Sequence, residues 1–94
     1  MTFELEFKES ALKEWRNLDE SIRKQFKKKL AERLTHPRVE ADRLRNLSDC
    51  YKIKLRNAGY RLVYQVDDQR ILVLVIAVGR RDRLAVYRSA KNRT

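Results

Sequence analysis

The stretch that decides the fold runs from Cys50 to Val66 and reads Cys-Tyr-Lys-Ile-Lys-Leu-Arg-Asn-Ala-Gly-Tyr-Arg-Leu-Val-Tyr-Gln-Val. Apolar and polar residues alternate on both sides of Asn57-Ala58-Gly59, and such alternation is typical of β-strands with one buried face. The glycine between the two halves favours a short turn. The stretch therefore predicts an antiparallel hairpin.

Matching the apolar faces of the two strands sets the predicted register of this hairpin. The predicted cross-strand pairs are Leu55 with Leu62, Ile53 with Tyr64, Arg56 with Arg61, and Lys54 with Val63. The basic side chains then share the second face, which we expect to be open to solvent because the helices need only one face of the sheet.

Strand and helix patterns precede the hairpin. Residues 2–7 alternate apolar and polar, which predicts a strand. Its core-facing side chains are expected to be Phe3, Leu5 and Phe7. Apolar residues at helical spacing then predict two helices in tandem, the first carrying Trp15 and the second ending before Pro37, which cannot continue a helix.

The chain after the hairpin predicts one more strand and one more helix. Residues 71–78 are apolar at every position, which is typical of a central strand covered on both faces, and Gly79 is expected to end it. Leu84, Tyr87 and Ala90 recur at helical spacing. The order of strand, two-helix hairpin, three-stranded antiparallel meander and short C-terminal helix indicates an α+β fold, with a mainly antiparallel sheet packed on the helical hairpin.

Length and charge limit the function classes. The 94 residues suffice for one core, so residues 1–94 are expected to form a single domain. The formal net charge of +10 favours a polyanion such as nucleic acid as partner. No apolar run reaches the roughly 20 residues of a membrane span, and the first residues do not read as a signal peptide. We therefore expect a cytoplasmic protein with no membrane partner.

Metal and cofactor chemistry is not indicated. Cys50 and His36 are the only cysteine and histidine, too few for a tetrahedral zinc site. No Gly-rich phosphate loop, paired-histidine nuclease site, carboxylate dyad or Ser-His-Asp set can be assembled. We expect no metal and no cofactor, with Cys50 as a small buried residue and Trp15 as a core anchor.

The second face of the hairpin is the strongest functional signal from the residues alone. It carries four cations, and neither strand of the hairpin offers an acid to pair with them. These cations are Lys52, Lys54, Arg56 and Arg61. An ordinary solvated face would favour mixed signs, because neighbouring like charges on a sheet are destabilising. The pattern favours a bound polyanion such as an RNA backbone.

Several stretches resemble the RelE family of bacterial toxins, over essentially the whole chain. The matching stretches are Ala11-Leu-Lys-Glu-Trp15, Lys27-Lys-Lys-Leu30, Cys50-Tyr-Lys-Ile-Lys-Leu-Arg56, Gly59-Tyr-Arg-Leu-Val-Tyr-Gln-Val66, Val78-Gly79 and Val86-Tyr87. The resemblance implies a RelE-like fold and a toxin of a type II toxin–antitoxin system. It implies a ribosome-dependent, metal-independent endoribonuclease that cuts mRNA in the ribosomal A site and inhibits translation.

The resemblance also implies the site and its chemistry. The implied catalytic residues are Lys52, Lys54, Arg61, Arg81 and Tyr87. The implied reaction is attack by the ribose 2′-oxygen on the adjacent phosphate, which leaves a 2′,3′-cyclic phosphate. We expect Lys54 to be the base, since crowding by other cations disfavours the charged form of a lysine. Lys52 would support it. The residues expected to dock on ribosomal RNA are Arg45, Arg56, Lys27 and Lys28.

The resemblance implies partners as well. They are the 70S ribosome with its 16S ribosomal RNA, messenger RNA, and a cognate RelB-like antitoxin. The resemblance implies that the antitoxin wraps this chain with an extended segment, and the charge of the chain predicts that this segment is acidic. Operator DNA would be bound only through the antitoxin. Two alternatives stay open: a ParE-like toxin that inhibits DNA gyrase by binding, and a basic module that binds nucleic acid without chemistry.

Overall fold

The computed structural model describes residues 2–80 and 85–93, and its four strands form one mixed sheet. The strands are β1 (Glu4–Phe7), β2 (Cys50–Leu55), β3 (Tyr60–Asp67) and β4 (Leu72–Arg80). Their spatial order is β1-β4-β3-β2, with β4 parallel to β1 and the other pairs antiparallel. The mainly antiparallel sheet and the central position predicted for β4 are confirmed.

Three α-helices complete the part of the fold formed by residues 2–80 and 85–93. They are α1 (Glu9–Arg16), α2 (Glu20–Thr35) and α3 (Ala85–Arg93), and a 3-10 turn lies at Glu40–Asp42. α2 ends directly before His36 and Pro37, as the proline predicted. Within the described residues, no helix is both long and apolar enough to cross a membrane.

The α1–α2 hairpin packs on one face of the sheet through aromatic side chains. Trp15 lies between Phe7 and Phe26, with ring centroids 5.1 and 6.2 Å away. Phe26 is fully buried and Trp15 is 9% exposed, so Trp15 is the core anchor that the sequence predicted. These rings join the helices to the inward side chains of β2, β3 and β4 in the first of two apolar clusters.

The N-terminal strand departs from its predicted burial. Phe3 and Phe7 are partly buried against the first cluster, but Leu5 is 36% exposed. β1 is a four-residue edge strand, and Leu5 lies beside a shallow groove that Leu30 and Leu34 of α2 also line. Alternation therefore predicted the right face for Leu5 and the wrong burial, because the helices only partly cover that edge.

The second face of the sheet is partly covered, which corrects the expectation of an open face. α3 lies on it, and Val86 and Ala90 are buried against Val63, Ile76 and other residues of a second apolar cluster. Every residue from 72 to 78 except Leu74 is buried. The prediction that this strand is covered on both faces is thus confirmed, and the C-terminal helix supplies the second cover.

A β-bulge shapes β4 where α3 crosses it. Val63 pairs with Ala77 but Tyr64 pairs with Val75, so Ile76 is an extra residue. Adjacent residues Ile76 and Ala77 consequently face the same cluster, which regular alternation would forbid. The strand also continues through Gly79 to Arg80, so the prediction that Gly79 ends it is wrong.

β4 is longer than its neighbour β1, which pairs with it only as far as Val75. Beyond that point, side chains bond the backbone along this edge of β4. The Glu14 Oε1 atom accepts a hydrogen bond from the Val78 amide at 3.2 Å. Arg93 Nη1 donates to the Ile76 carbonyl at 2.9 Å and to Glu14 Oε1 at 2.8 Å. Lys8 Nζ donates to the Arg93 carbonyl. These bonds tie the end of α3 to α1 and to the bulged strand.

The hairpin register differs from the predicted one by two residues. The cross-strand pairs include Ile53 with Leu62, Lys54 with Arg61 and Leu55 with Tyr60. The turn decides this, because Gly59 takes a left-handed φ of 72° and donates its amide to the Leu55 carbonyl at 2.8 Å. A shift of two residues preserves the faces, so only the pairing was wrong.

Candidate active site

Three of the predicted site residues lie together on the second face of the sheet. Lys54 of β2 pairs directly with Arg61 of β3, and Lys52 follows on the same face beside Val63. Side chains that face each other across an antiparallel pair have Cβ atoms about 5 Å apart. The corrected register therefore brings Lys54 next to Arg61, where the sequence had predicted Arg56.

Burial distinguishes the three cations. Arg61 is only 9% exposed, and its Nη1 atom donates to the Tyr60 carbonyl at 2.9 Å. Lys52 and Lys54 are half-buried. Within residues 2–80 and 85–93, no carboxylate forms an ion pair with any of the three. The face therefore concentrates positive charge that an anion can neutralise.

The remaining two predicted catalytic residues lie on the segment after β4. Tyr87 is half-buried on α3 and packs against the second cluster, so it borders the same face of the sheet as the three cations. Arg81 lies outside the described residues. The structure thus gathers Lys52, Lys54 and Arg61 on one face and adds Tyr87 from the helix that covers its other part.

A half-buried arginine that sequence reasoning missed, Arg33, holds the backbone at Lys52. Arg33 of α2 donates through Nη1 to the Lys52 carbonyl at 3.2 Å and to the Tyr64 hydroxyl at 2.9 Å. Its Nη2 atom forms an ion pair with Asp42 at 2.5 Å. The guanidinium also lies 5.8 Å from the Tyr64 ring centroid. Arg33 therefore joins α2, the loop before β2 and the strand that carries both lysines.

Tyr64 completes this network as a neutral phenol. Its hydroxyl donates to the carbonyl of buried Pro37 at 2.5 Å. Burial raises the pKa of Tyr64 by more than the neighbouring Arg33 lowers it. Because the phenol stays protonated, it can accept a hydrogen bond from Arg33 and donate one to Pro37 at once.

A second, more exposed network holds the start of β2. Arg38 pairs with Asp49 at 3.0 Å and with Asp68 at 2.6 Å, and it donates to the Tyr51 hydroxyl at 3.2 Å. Asp49 has a left-handed φ of 59°, and its carbonyl accepts the Val66 amide. These contacts fix the loop where it enters the strand of Lys52 and Lys54.

The residues predicted to dock on RNA fall at separate places. Arg45 is exposed beside Tyr87 in a groove between the loop before β2 and α3. Arg56 follows β2 and lines a groove with Lys54. Lys27 and Lys28 are exposed on α2, which packs on the opposite face of the sheet. The structure therefore places Arg56 beside Lys54 and Arg45 beside Tyr87, and it leaves Lys27 and Lys28 on the opposite side of the sheet.

Cys50 and the acidic residues form no second reactive centre in the described part of the chain. Cys50 is fully buried, and burial, together with the neighbouring Asp49, raises the pKa of its thiol to about 11. Cys50 is thus a small apolar residue, as predicted. Among the described residues, no group of three or more His, Cys, Asp or Glu side chains comes together where a metal ion could bind.

Comparison with known proteins agrees with this geometry. Residues 5–85 match the family model described as the ParE toxin of a type II toxin–antitoxin system. The chain is 57% identical over 93 residues to the mRNA interferase toxin RelE of Escherichia coli K12, covering 99% of this chain and 98% of that protein.

Solved structures give the same result. Free E. coli RelE toxin, in a double arginine-to-alanine mutant form, is 55% identical and superposes with a TM-score of 0.92, covering 99% of this chain and 98% of that one. The toxin of the intact E. coli RelBE toxin–antitoxin complex is 58% identical with a TM-score of 0.83, covering 86% of this chain and 99% of that one. The chain therefore belongs to the RelE family, within the RelE/ParE superfamily of toxins.

Proposed function

We propose that this chain is the toxin of a type II toxin–antitoxin system and that it cuts messenger RNA in the ribosomal A site, inhibiting translation in the cytoplasm. The observation that carries the proposal is the pairing of Lys54 with Arg61, with Lys52 on the same face. A compact set of cations that no described carboxylate neutralises suits an RNA phosphate. Membership of the RelE family supports the same activity.

The proposed reaction needs a base, and Lys54 has the suitable position. The ribose 2′-oxygen attacks the adjacent phosphate and loses its proton, which leaves a 2′,3′-cyclic phosphate and a free 5′-hydroxyl. A base must lie within hydrogen-bond reach of the proton that it accepts. Lys54 has Arg61 directly across the hairpin and Lys52 two residues away, so a phosphate bound by these two cations lies beside the Lys54 amine.

The other residues act on charge and on orientation. Arg61 would stabilise the negative charge that develops on the phosphorane, and its hydrogen bond to the Tyr60 carbonyl pre-orients the guanidinium. Arg81 would donate a hydrogen bond to the leaving 5′-oxygen. Tyr87 would stack on a base and align the nucleotide. No metal or cofactor takes part in the proposed steps.

Dependence on the ribosome follows from this set of groups. Lysine and arginine offer a weak base, so the ribosome has to supply most of the alignment of the messenger. We expect free RNA to be cut poorly. We propose that four exposed cations dock on 16S ribosomal RNA. These are Arg45, Arg56, Lys27 and Lys28. Because the α2 lysines lie on the opposite face of the sheet from Lys52, Lys54 and Arg61, ribosomal RNA would contact the toxin on two sides.

The proposal includes an antitoxin as partner. A net charge of +10 favours an acidic, extended segment of a RelB-like protein that wraps the toxin. The solved RelBE complex of E. coli is a precedent for such a pair. We further propose that this toxin reaches operator DNA only through the antitoxin, and that the pair represses its own operon.

Single-turnover cleavage of A-site mRNA on programmed ribosomes tests the mechanism. We expect Lys54→Ala and Arg81→Ala each to slow cleavage by about 100-fold or more while ribosome binding is preserved. Lys24→Ala, which removes one charge from exposed α2, is the matched control and should cleave at the wild-type rate. Near wild-type rates for both site variants would show that the mechanism is wrong.

A ParE-like gyrase inhibitor is the second candidate, because the family model matched by residues 5–85 has a ParE description. Brief expression in cells distinguishes the two activities. An A-site nuclease halts translation and leaves codon-phased ends on primer extension of cellular mRNA. A gyrase inhibitor causes DNA damage without such ends. The identity of 57% with a RelE toxin favours the first outcome.

A further inference from the structure

A groove beside Tyr87 has an apolar part that the function proposed above does not use. It has a volume of about 380 Å³ and lies between the loop before β2 and α3. Leu44 and Leu47 of the loop form its apolar part, and both pack against the second cluster. Tyr87 and Arg88 line it from α3, and Arg45 from the loop. The volume is at the lower end of the range of small-ligand sites, about 300–1,000 Å³.

The chemistry of the groove suits a nucleotide. Two half-buried leucines and an aromatic ring give a flat base an apolar surface to lie on. Arg45 and Arg88 are exposed at the rim, where a guanidinium can bind a phosphate or stack on a base. None of the described residues that line the groove is a carboxylate, so a cationic ligand is disfavoured.

The position of the groove relative to the face that carries Lys52, Lys54 and Arg61 further indicates which ligand it binds. Tyr87 belongs both to the groove and to the border of the face that carries Lys54 and Arg61. Consider an RNA strand with a phosphate over these cations and a base on Tyr87. Its next nucleotide then lies either against Leu44 and Leu47 or in open solvent. The apolar floor and the basic rim favour the groove.

We propose that this groove is a second base-binding subsite, which holds the nucleobase next in sequence to the one that stacks on Tyr87. Arg88 binds the phosphate that joins these two nucleotides, and Arg45 remains available to dock on 16S ribosomal RNA. The inference rests on the proposed function and extends it, since contacts to a second base would make the rate of cleavage depend on codon sequence.

A binding experiment tests the subsite independently of cleavage. A 2′-O-methyl trinucleotide with adenine at all three positions, in which the attacking oxygen is blocked, is titrated into the full chain with labelled leucine methyl groups. We expect the methyl resonances of Leu44 and Leu47 to shift and those of Leu12, on α1, to stay in place. The proposal is wrong if the trinucleotide leaves both groove leucines unshifted. It is equally wrong if only an acidic, leucine-containing peptide shifts them.

A cleavage experiment tests the subsite on the ribosome. Programmed ribosomes carry A-site codons with an abasic nucleotide at each of the three positions in turn. When the abasic nucleotide is the one next to the nucleotide that stacks on Tyr87, we expect the wild type to cleave the codon about tenfold or more slowly. In Leu47→Ala and Arg88→Ala most of this slowing should disappear, because these variants no longer bind the second base even when it is present.

Matched controls separate the subsite from stability and from the proposed function. Leu12→Ala removes the same volume from a half-buried leucine of α1, and Arg16→Ala removes an exposed charge from the same helix. Both should keep the wild-type abasic penalty. If abasic nucleotides slow the wild type and the groove variants equally at every codon position, the proposed subsite is wrong. If the wild type fails to cut the unmodified codon, the proposed function is wrong, and the trinucleotide titration alone decides the subsite.

Discussion

Replacing Arg33 with methionine removes a guanidinium that joins α2 to Asp42, Tyr64 and the Lys52 carbonyl, while most of its aliphatic stem remains. The side chains of Arg33 and Asp42 are only 14% and 17% exposed. Hydrogen bonds to charged groups contribute about 1.5–3 kcal/mol, and the variant leaves a partly buried carboxylate without its partner. We expect a loss of about 2–3 kcal/mol in the free energy of unfolding.

Arg38→Met is the matched control for Arg33→Met. Arg38 also binds two carboxylates and a tyrosine hydroxyl, but it is 36% exposed and its acidic partners are 50% and 61% exposed. Exposed ion pairs contribute about 0–1 kcal/mol. Urea unfolding followed by Trp15 fluorescence measures both variants, and each kcal/mol corresponds to about 4–8 °C in Tm for a chain of this size. A loss for Arg38→Met equal to or above that for Arg33→Met would refute the reasoning from burial.

Three further predictions concern stability and local opening. Because burial raises the pKa of Cys50 to about 11, the native state holds this proton more tightly than the unfolded chain, so stability should fall as pH rises from about 9 to 11. Urea titrations at several pH values should show a shallower decline for Cys50→Ala, and an unchanged decline would contradict the assignment. Ile71 has a left-handed φ of 53°, so Ile71→Gly should raise stability by about 1 kcal/mol in thermal unfolding, whereas Ile71→Val, which keeps the β-branch, should not. Glu14→Gln weakens the pair with Arg93, and amide hydrogen exchange should accelerate at Val78 more than at Val73; uniform acceleration would show a global effect instead.

The spacing of apolar residues was sufficient to predict the order of strands and helices, because each strand or helix has an apolar side that is visible in a short stretch of sequence. The alternation in β2 and β3 determined which side chains share a face, and the shared face of Lys52, Lys54 and Arg61 is confirmed. Their catalytic roles stay predictions. The register depended on the left-handed turn at Gly59, and two registers that differ by two residues have the same apolar pattern.

The cover on the second face had a sequence signal that was passed over. Val63 is apolar on the face that was expected to be open, and Leu44 and Leu47 recur three residues apart in a loop. A fully exposed face would rarely place valine at that position. The helical spacing of α3 indicated that it has an apolar side, but spacing alone does not say which face of the sheet that side covers.

The Arg33 network could not be found by pattern. An arginine on a helix surface looks the same in sequence whether it is solvated or paired, and its three partners come from segments 9 to 31 residues away. Only the packing of α2 against the loop before β2 brings them together. Long-range polar contacts of this kind are set by tertiary geometry, which a local window does not contain.

Arginine side chains at both margins of the sheet have a consequence for the solubility of the toxin. At one margin Arg93 occupies the Ile76 carbonyl of β4, and at the other Arg33 occupies the Lys52 carbonyl of β2. A bare strand margin recruits strands from other chains and nucleates aggregates. Each guanidinium takes a carbonyl that an incoming strand would need as a hydrogen-bond acceptor. Arg93 and Arg33 therefore disfavour the addition of a strand from another chain at these two margins of the sheet.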